Sequence, residues 1–135
     1  MRIILDCNIW ISFLLRHQTE LMYAILTDKS TDVIVCRELL EEIKDVAGRE
    51  KIRKYTQPSE VASLLDLIDG FAVYAEIHQA ARSPIRDAKD LYLLSLAEMV
   101  EADYLVSGDK DLLVLRNHGD TKMISLADFK LLRGL

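Results

Sequence analysis

Two aspartates stand directly after short apolar runs, a position from which a carboxylate can bind a ligand. Asp6 follows the run 2–5 (Arg-Ile-Ile-Leu), and Asp109 follows 105–108 (Leu-Val-Ser-Gly). Each run predicts a buried strand, and ligands of open parallel sheets bind beyond the carboxyl ends of the strands. An Asp at either place also suits a helix cap or a turn. Two acids at equivalent strand ends favour a shared site.

Two further acids lie on predicted helices that carry an apolar stripe. Glu42 borders the stripe of a helix predicted over 37–47, so its carboxylate points either toward the sheet edge or into solvent. Asp90 falls within the stripe of a helix predicted over 87–101, where an ionised acid is unfavourable unless it is paired or bound to a metal. Asp87 stands where the N-cap of that helix is expected.

We therefore expect four acids, Asp6, Glu42, Asp90 and Asp109, to converge at one end of the sheet. Such a cluster repels itself unless protons or cations neutralise it. Carboxylate oxygens with few His or Cys partners select hard divalent cations, which predicts one or two Mg²⁺ or Mn²⁺ ions as the cofactor. The three histidines lack zinc-ligand spacing, and the absence of a glycine-rich phosphate loop argues against a nucleoside triphosphatase.

Strands and helices alternate from end to end of the chain. Apolar runs predict strands over 2–5, 32–36, 71–77, 104–107 and 122–125. Helical spacing predicts helices over 8–15, 20–26, 37–47, 58–69, 87–101 and 111–116, and a last helix after Ser125. This order implies an α/β fold, a three-layer α/β/α sandwich with a mostly parallel central sheet. At 135 residues we expect a single domain, 1–135.

The composition argues against several classes of protein. The 17 Lys+Arg against 22 Asp+Glu give a net charge of −5, so any contact with nucleic acid requires a local basic patch. Two cysteines are too few for a thiolate zinc site or a disulfide-dense secreted domain, which favours a cytoplasmic location. The apolar N-terminus is interrupted by Asp6, Asn8 and Ser12 and predicts neither a signal peptide nor a membrane span.

Four stretches, in chain order, resemble the motifs of PIN-domain ribonucleases. Residues 5–12 (Leu-Asp-Cys-Asn-Ile-Trp-Ile-Ser) resemble the first motif, 38–43 (Glu-Leu-Leu-Glu-Glu-Ile) the second, 86–97 the third and 102–112 the fourth. In the second motif the acid before the aliphatic residue is the ligand, which corresponds to Glu42. Cys7 replaces the usual Thr and Ala88 stands where Pro is common, but neither departure removes a ligand. The chain is most similar to the bacterial VapC-like toxins of toxin–antitoxin modules.

This resemblance implies a PIN-like nuclease domain that cuts single-stranded RNA endonucleolytically with a divalent metal. It also implies a homodimer and a small antitoxin that inhibits the enzyme. The four acids would be both the catalytic residues and the metal ligands. Weaker candidates, which would support those ligands, are Asn8, Ser107, Asp111, Asp87 and Ser12. For Ser12, a hydroxyl that bonds its own helix backbone is the favoured interpretation.

Contacts with RNA must come from basic side chains, because the site itself is acidic. The candidates are Arg49, Lys51, Arg53, Lys54, Arg86 and Lys89. For the run 49–54, a solvated charged face is the simpler interpretation.

Two alternatives to a nuclease stay open. A catalytically weak PIN domain would bind RNA or a partner without cutting. A haloacid-dehalogenase-like phosphatase also pairs a strand-end Asp with a later Gly-Asp stretch. That class needs a second acid two residues after the first, where this chain has Asn8, and the stretch Gly108–Asp111 is one residue short of its spacing.

Overall fold

The computed structural model describes residues 1–81 and 88–135, with the side chains of residues 88 and 89 left out. Its strands are β1 (Arg2–Leu5), β2 (Asp32–Val35), β3 (Val73–Tyr74), β4 (Tyr104–Val106), β5 (Asn117–His118) and β6 (Thr121–Ile124). Its helices are α1 (Cys7–Leu15), α2 (Thr19–Thr27), α3 (Arg37–Ala47), α4 (Glu50–Arg53), α5 (Pro58–Phe71), α6 (Ala88–Val100), α7 (Lys110–Leu113) and α8 (Leu126–Arg133). None of these helices is both long and apolar enough to cross a membrane.

The strands form one sheet in the order β3-β2-β1-β4-β6-β5, in which only the β5–β6 pair is antiparallel. From β1 the chain first builds the sheet outward through β2 and β3, and it then returns to place β4 on the other side of β1. Because crossovers between parallel strands are right-handed, this reversal puts helices on both faces of the sheet. The predicted α/β sandwich with a mostly parallel sheet is confirmed.

The centre of the sheet is also its most buried part. Residues 3–5 of β1 and 105–106 of β4 are completely buried, and 33–35 of β2 are nearly so. Helix α1 is buried along most of its length, and its Trp10 is fully buried with the indole N–H donating to the Leu5 carbonyl at 3.0 Å. The junction between β1 and α1 is therefore held by core packing on both sides, and Asp6 lies at that junction.

The structure departs from the predicted elements mainly at the periphery. The strand predicted over 71–77 is only Val73–Tyr74, because α5 continues through the exposed Gly70 to Phe71. The predicted helix 111–116 is the shorter α7. Helix α4 and strand β5 have no counterpart in the predictions. In the hairpin that β5 forms with β6, the positive φ of Gly119 (59°) provides the turn.

Candidate active site

Asp6 is the most buried of the four predicted acids, with 6% of its surface exposed. It caps α1, and its Oδ1 accepts from the Cys7 backbone N–H at 2.6 Å. Its Oδ2 accepts from the Ser107 hydroxyl at 2.6 Å and from the Asn8 amide at 3.3 Å. The residue that caps α1 is thus also a residue of the site, and three donors, the Cys7 N–H, the Ser107 hydroxyl and the Asn8 amide, hold its carboxylate in one orientation.

The ends of β1 and β4 are joined by a small hydrogen-bond network. Leu5 pairs with Val106 in the parallel register, so the residues that follow them, Asp6 and Ser107, are neighbours. Ser107 Oγ accepts from the Asp109 N–H at 2.9 Å, and Asn8 Oδ1 accepts from the Gly108 N–H at 3.2 Å. This is the point at which the sheet reverses its direction of growth, where ligands of α/β sheets bind.

Asp109 belongs to a compact group of three carboxylates. Oxygen atoms of Asp90, Asp109 and Asp111 all lie within 4.8 Å of one another. Asp109 also caps α7, because its Oδ1 accepts from the Asp111 N–H at 2.9 Å. The sequence indicated Asp111 only as a weaker candidate, and the structure places it beside two of the four main acids.

Glu42 projects from α3 and is half-buried, whereas its neighbour Glu41 is exposed. The Tyr92 hydroxyl donates to Glu42 Oε1 at 2.7 Å across 50 residues of sequence. Burial, followed by this hydrogen bond and the Glu42 charge, raises the pKa of Tyr92, so the phenol stays protonated and remains a donor. Tyr92 is not among the residues predicted from the sequence. Its signal was a tyrosine with a polar tip two residues after Asp90 in a mostly apolar helix.

All four predicted acids line one open cleft of about 550 Å³. Burial raises the pKa of Asp6, and the charges of Glu42 and Asp109 add to that effect, while the bonds from Ser107 and the Cys7 N–H oppose it. The ionised form of Asp6 is therefore disfavoured unless positive charge lies nearby. The donor set of the four acids consists of carboxylate oxygens, with no histidine among the described residues of the cleft wall, which fits Mg²⁺ or Mn²⁺.

The remaining predicted residues are distributed unevenly. Asn8 and Ser12 line the cleft, but the Ser12 hydroxyl makes no hydrogen bond within the described chain, so the expected bond to its helix backbone is wrong. Asp87 and Arg86 lie outside the described residues, as does the side chain of Lys89.

The basic run 49–54 divides between two surfaces. Arg49 lines the acidic cleft, whereas Arg53 and Lys54 line a different surface hollow and Lys51 is exposed on α4. Arg16, which the sequence analysis did not single out, also lines the acidic cleft.

The fold is similar to that of one chain in the crystal structure of VapBC2 from Rickettsia felis, in which VapBC2 is bound to a DNA fragment from its promoter. The TM-score is 0.59 at 16% sequence identity, and the match covers 93% of this chain and 98% of that chain. No curated protein matches the sequence significantly. The family model described as PIN domain matches residues 2–111, which is most of the chain, and the protein therefore belongs to the PIN-domain family.

Proposed function

We propose that the protein is a metal-dependent endoribonuclease that hydrolyses phosphodiester bonds of single-stranded RNA. The observation that carries this proposal is the convergence of Asp6, Glu42, Asp90 and Asp109 on one open cleft at the switch point of the sheet. Membership of the PIN-domain family supports it.

In this proposal the four acids hold one or two Mg²⁺ or Mn²⁺ ions. When bound, such ions polarise a phosphoryl oxygen and lower the pKa of a coordinated water. The protein supplies the orientation of the ligands. Ser107 and the Cys7 N–H fix both oxygens of Asp6, so that this carboxylate is already aligned before a ligand arrives.

Glu42 is oriented differently, through its contact with α6. The Tyr92 hydroxyl engages Oε1, and within the described residues Oε2 has no hydrogen-bond donor. Oε2 is therefore the oxygen that takes part in ligand binding or accepts a proton from a water molecule. Asp111 extends the group of Asp90 and Asp109 toward solvent, and its exposed carboxylate would offset part of the charge of a bound metal ion.

We further propose that the protein is the toxin of a type II toxin–antitoxin pair, acting as a cytoplasmic homodimer that a small antitoxin inhibits. The four motif resemblances and the VapBC2-like fold support this role. Inducing the chain in a bacterial host should arrest growth, and Asp109→Asn should relieve the arrest. Equal arrest by the variant would contradict a toxic nuclease. Light scattering of the purified protein tests the dimer.

The direct test of the enzyme is cleavage of a 5′-labelled single-stranded RNA with Mn²⁺ or Mg²⁺. Asp6→Asn and Asp109→Asn should each lower the cleavage rate at least about 100-fold, because even mutations of residues that only support metal ligands lower activity about 10- to 100-fold. The control Asp66→Asn, on the exposed face of α5, should cleave at the wild-type rate. Chelator should abolish cleavage. Cleavage that survives both site variants would indicate a contaminating nuclease. RNA binding without any cleavage would instead indicate a binding module.

A further inference from the structure

Two arginines stand at the end of the cleft away from the sheet. Arg16 follows the last residue of α1, and Arg49 caps the start of α4, so they come from separate elements. Both line the same cleft as the four acids. The Arg16 side chain is exposed and forms no ion pair or hydrogen bond within the described chain. Arg49 contacts Asp45 at 3.1 Å, with both side chains more than half exposed.

The walls of the cleft run from acid to base. Along α1 the lining residues share one helical face, since they follow the spacing i, i+3, i+4, i+7 and i+8: Asn8, Ile11, Ser12, Leu15 and Arg16. Eight residues at about 1.5 Å each place Arg16 about 12 Å along the helix from Asn8. The opposite wall repeats the order, with Glu42, then Val46, then Arg49.

This arrangement matches the chemistry of a nucleic-acid strand. Guanidinium groups form charge-assisted hydrogen bonds with phosphate oxygens, which the acidic end cannot do by itself. The exposed Arg49–Asp45 pair is weak and exchanges readily for a phosphate. Between the two ends, the partly exposed Leu15 and Val46 present an apolar surface to bases or sugars. Because a stacked strand advances about 3.4 Å per nucleotide, 12 Å corresponds to roughly three or four nucleotides.

We propose that Arg16 and Arg49 bind backbone phosphates of the substrate about three or four nucleotides from the bond that is cut. This inference rests on the proposed function. It restricts the substrates of the proposed nuclease to RNA strands that extend more than about three or four nucleotides from the cut bond. It also selects Arg49 from the basic run, in preference to Lys51, Arg53 and Lys54.

The test measures RNA binding apart from cleavage. Binding of a fluorescein-labelled 12-nucleotide single-stranded RNA is followed by anisotropy with Ca²⁺ as the cation, across a range of salt concentrations. Arg16→Gln and Arg49→Gln should each weaken binding about 2- to 5-fold, and the double variant about 10-fold. The slope of log affinity against log salt should become shallower by about 0.7 for each arginine.

The matched control is Lys29→Gln, which removes one positive charge from an exposed loop. That loop precedes β2 and so lies at the amino ends of the strands, opposite the cleft. It should bind like the wild type. Competition with unlabelled strands of 2 to 8 nucleotides should show affinity rising with length for the wild type, and this rise should be largely absent from the double variant.

The outcomes separate this inference from the proposed function. If the arginine variants bind like the wild type, or Lys29→Gln weakens binding equally, the arginine contacts are refuted even where Mn²⁺-dependent cleavage is intact. A wild type that does not bind the strand refutes them as well. Conversely, arginine-dependent binding without cleavage upholds the two phosphate contacts but refutes the nuclease, and with it the spacing from a cut bond. Melting temperatures of all variants should agree within about 2 °C, since both arginines are exposed.

Discussion

Asp109→Asn should make the protein more stable when no divalent cation is present. Oxygen atoms of Asp90, Asp109 and Asp111 lie within 4.8 Å of one another, and unit charges at that distance repel by about 0.9 kcal/mol in bulk water and about 3.5 kcal/mol at an effective dielectric of 20. Since Asp111 is exposed, the lower value applies to its pair with Asp109, and the pair with the more buried Asp90 contributes at least as much. Asp109 takes part in two such pairs, so removing its charge should stabilise the fold by about 1–2 kcal/mol, after allowing for solvent screening.

The substitution is chosen because it preserves the local structure. Asn caps helices as well as Asp, so the bond from the Asp111 N–H to Oδ1 of residue 109 is retained. In thermal unfolding with chelator, Tm should rise by roughly 3–8 °C relative to the wild type. Asp66→Asn, which removes the same charge from exposed α5, should leave Tm within about 2 °C.

Divalent cation should reverse this order. At a Mg²⁺ or Mn²⁺ concentration ten times its dissociation constant, the wild type should gain about 1.4 kcal/mol of stability, and Asp109→Asn much less. The reasoning is refuted if Asp109→Asn is no more stable than Asp66→Asn in chelator. It is equally refuted if the cation stabilises the wild type and Asp109→Asn by the same amount, since the cation would then bind at a different site.

Three further predictions concern single side chains. Tyr92→Phe should raise the Mn²⁺ concentration for half-maximal cleavage about 10- to 100-fold, because Glu42 loses the donor that orients it; an unchanged metal titration would contradict this role. Arg133 and Ser30 lower the pKa of Asp28, so the ionised carboxylate stabilises the fold above about pH 4 and this stabilisation is lost as the pH falls. Urea unfolding of Asp28→Asn should accordingly show a weaker loss of stability between pH 6 and pH 3 than the wild type does. Burial raises the pKa of Cys36 to about 11, so iodoacetamide at pH 8 should modify it only after denaturation, as read from its peptide by mass spectrometry.

The positions of the strand-end acids were predictable because local and global signals agree there. The run 2–5 is short and apolar, it becomes the buried central strand, and Asp6 ends it in both the sequence and the structure. The alternation of elements implied a parallel sheet, whose carboxyl ends share one edge. The helical period likewise placed Glu42 at the border of the apolar stripe of its helix, and in the structure this residue is half-buried.

Contacts between distant elements were not predictable in the same way. The Tyr92–Glu42 hydrogen bond joins residues 50 positions apart, and no periodicity within either helix specifies the partner. Arg16 lies one residue beyond the end of α1 and outside the helix predicted over 8–15, so the periodicity of that helix does not assign it to a face. The run 49–54 is uniformly basic in sequence, and only the placement of α4 separates Arg49 from Arg53 and Lys54.

The edge of the sheet shows why the boundaries of β3 were wrong. The alternation over 71–77 is typical of a strand with one buried face, but the two residues of β3 are both exposed. Phe71 instead ends α5 and packs edge-to-face on Tyr23, with ring centroids 5.7 Å apart. The segment 71–77 therefore begins as the end of a helix, with Phe71 packed on Tyr23 of α2, although its pattern alone favours a strand.

The distribution of charge makes cation binding and RNA binding interdependent under the proposed function. The net charge of −5 and four acids in the cleft oppose a polyanion, and the two arginines at its far end offset only part of that repulsion. A divalent cation among the acids reduces the repulsion at the end where the strand is cut, and the phosphate oxygens of the strand in turn supply further ligands to the cation. Linkage requires each ligand to strengthen the other by the same factor. The protein alone therefore binds the cation more weakly than the protein–RNA complex does. In the absence of the cation, the two arginines determine the weak affinity with which the RNA first binds.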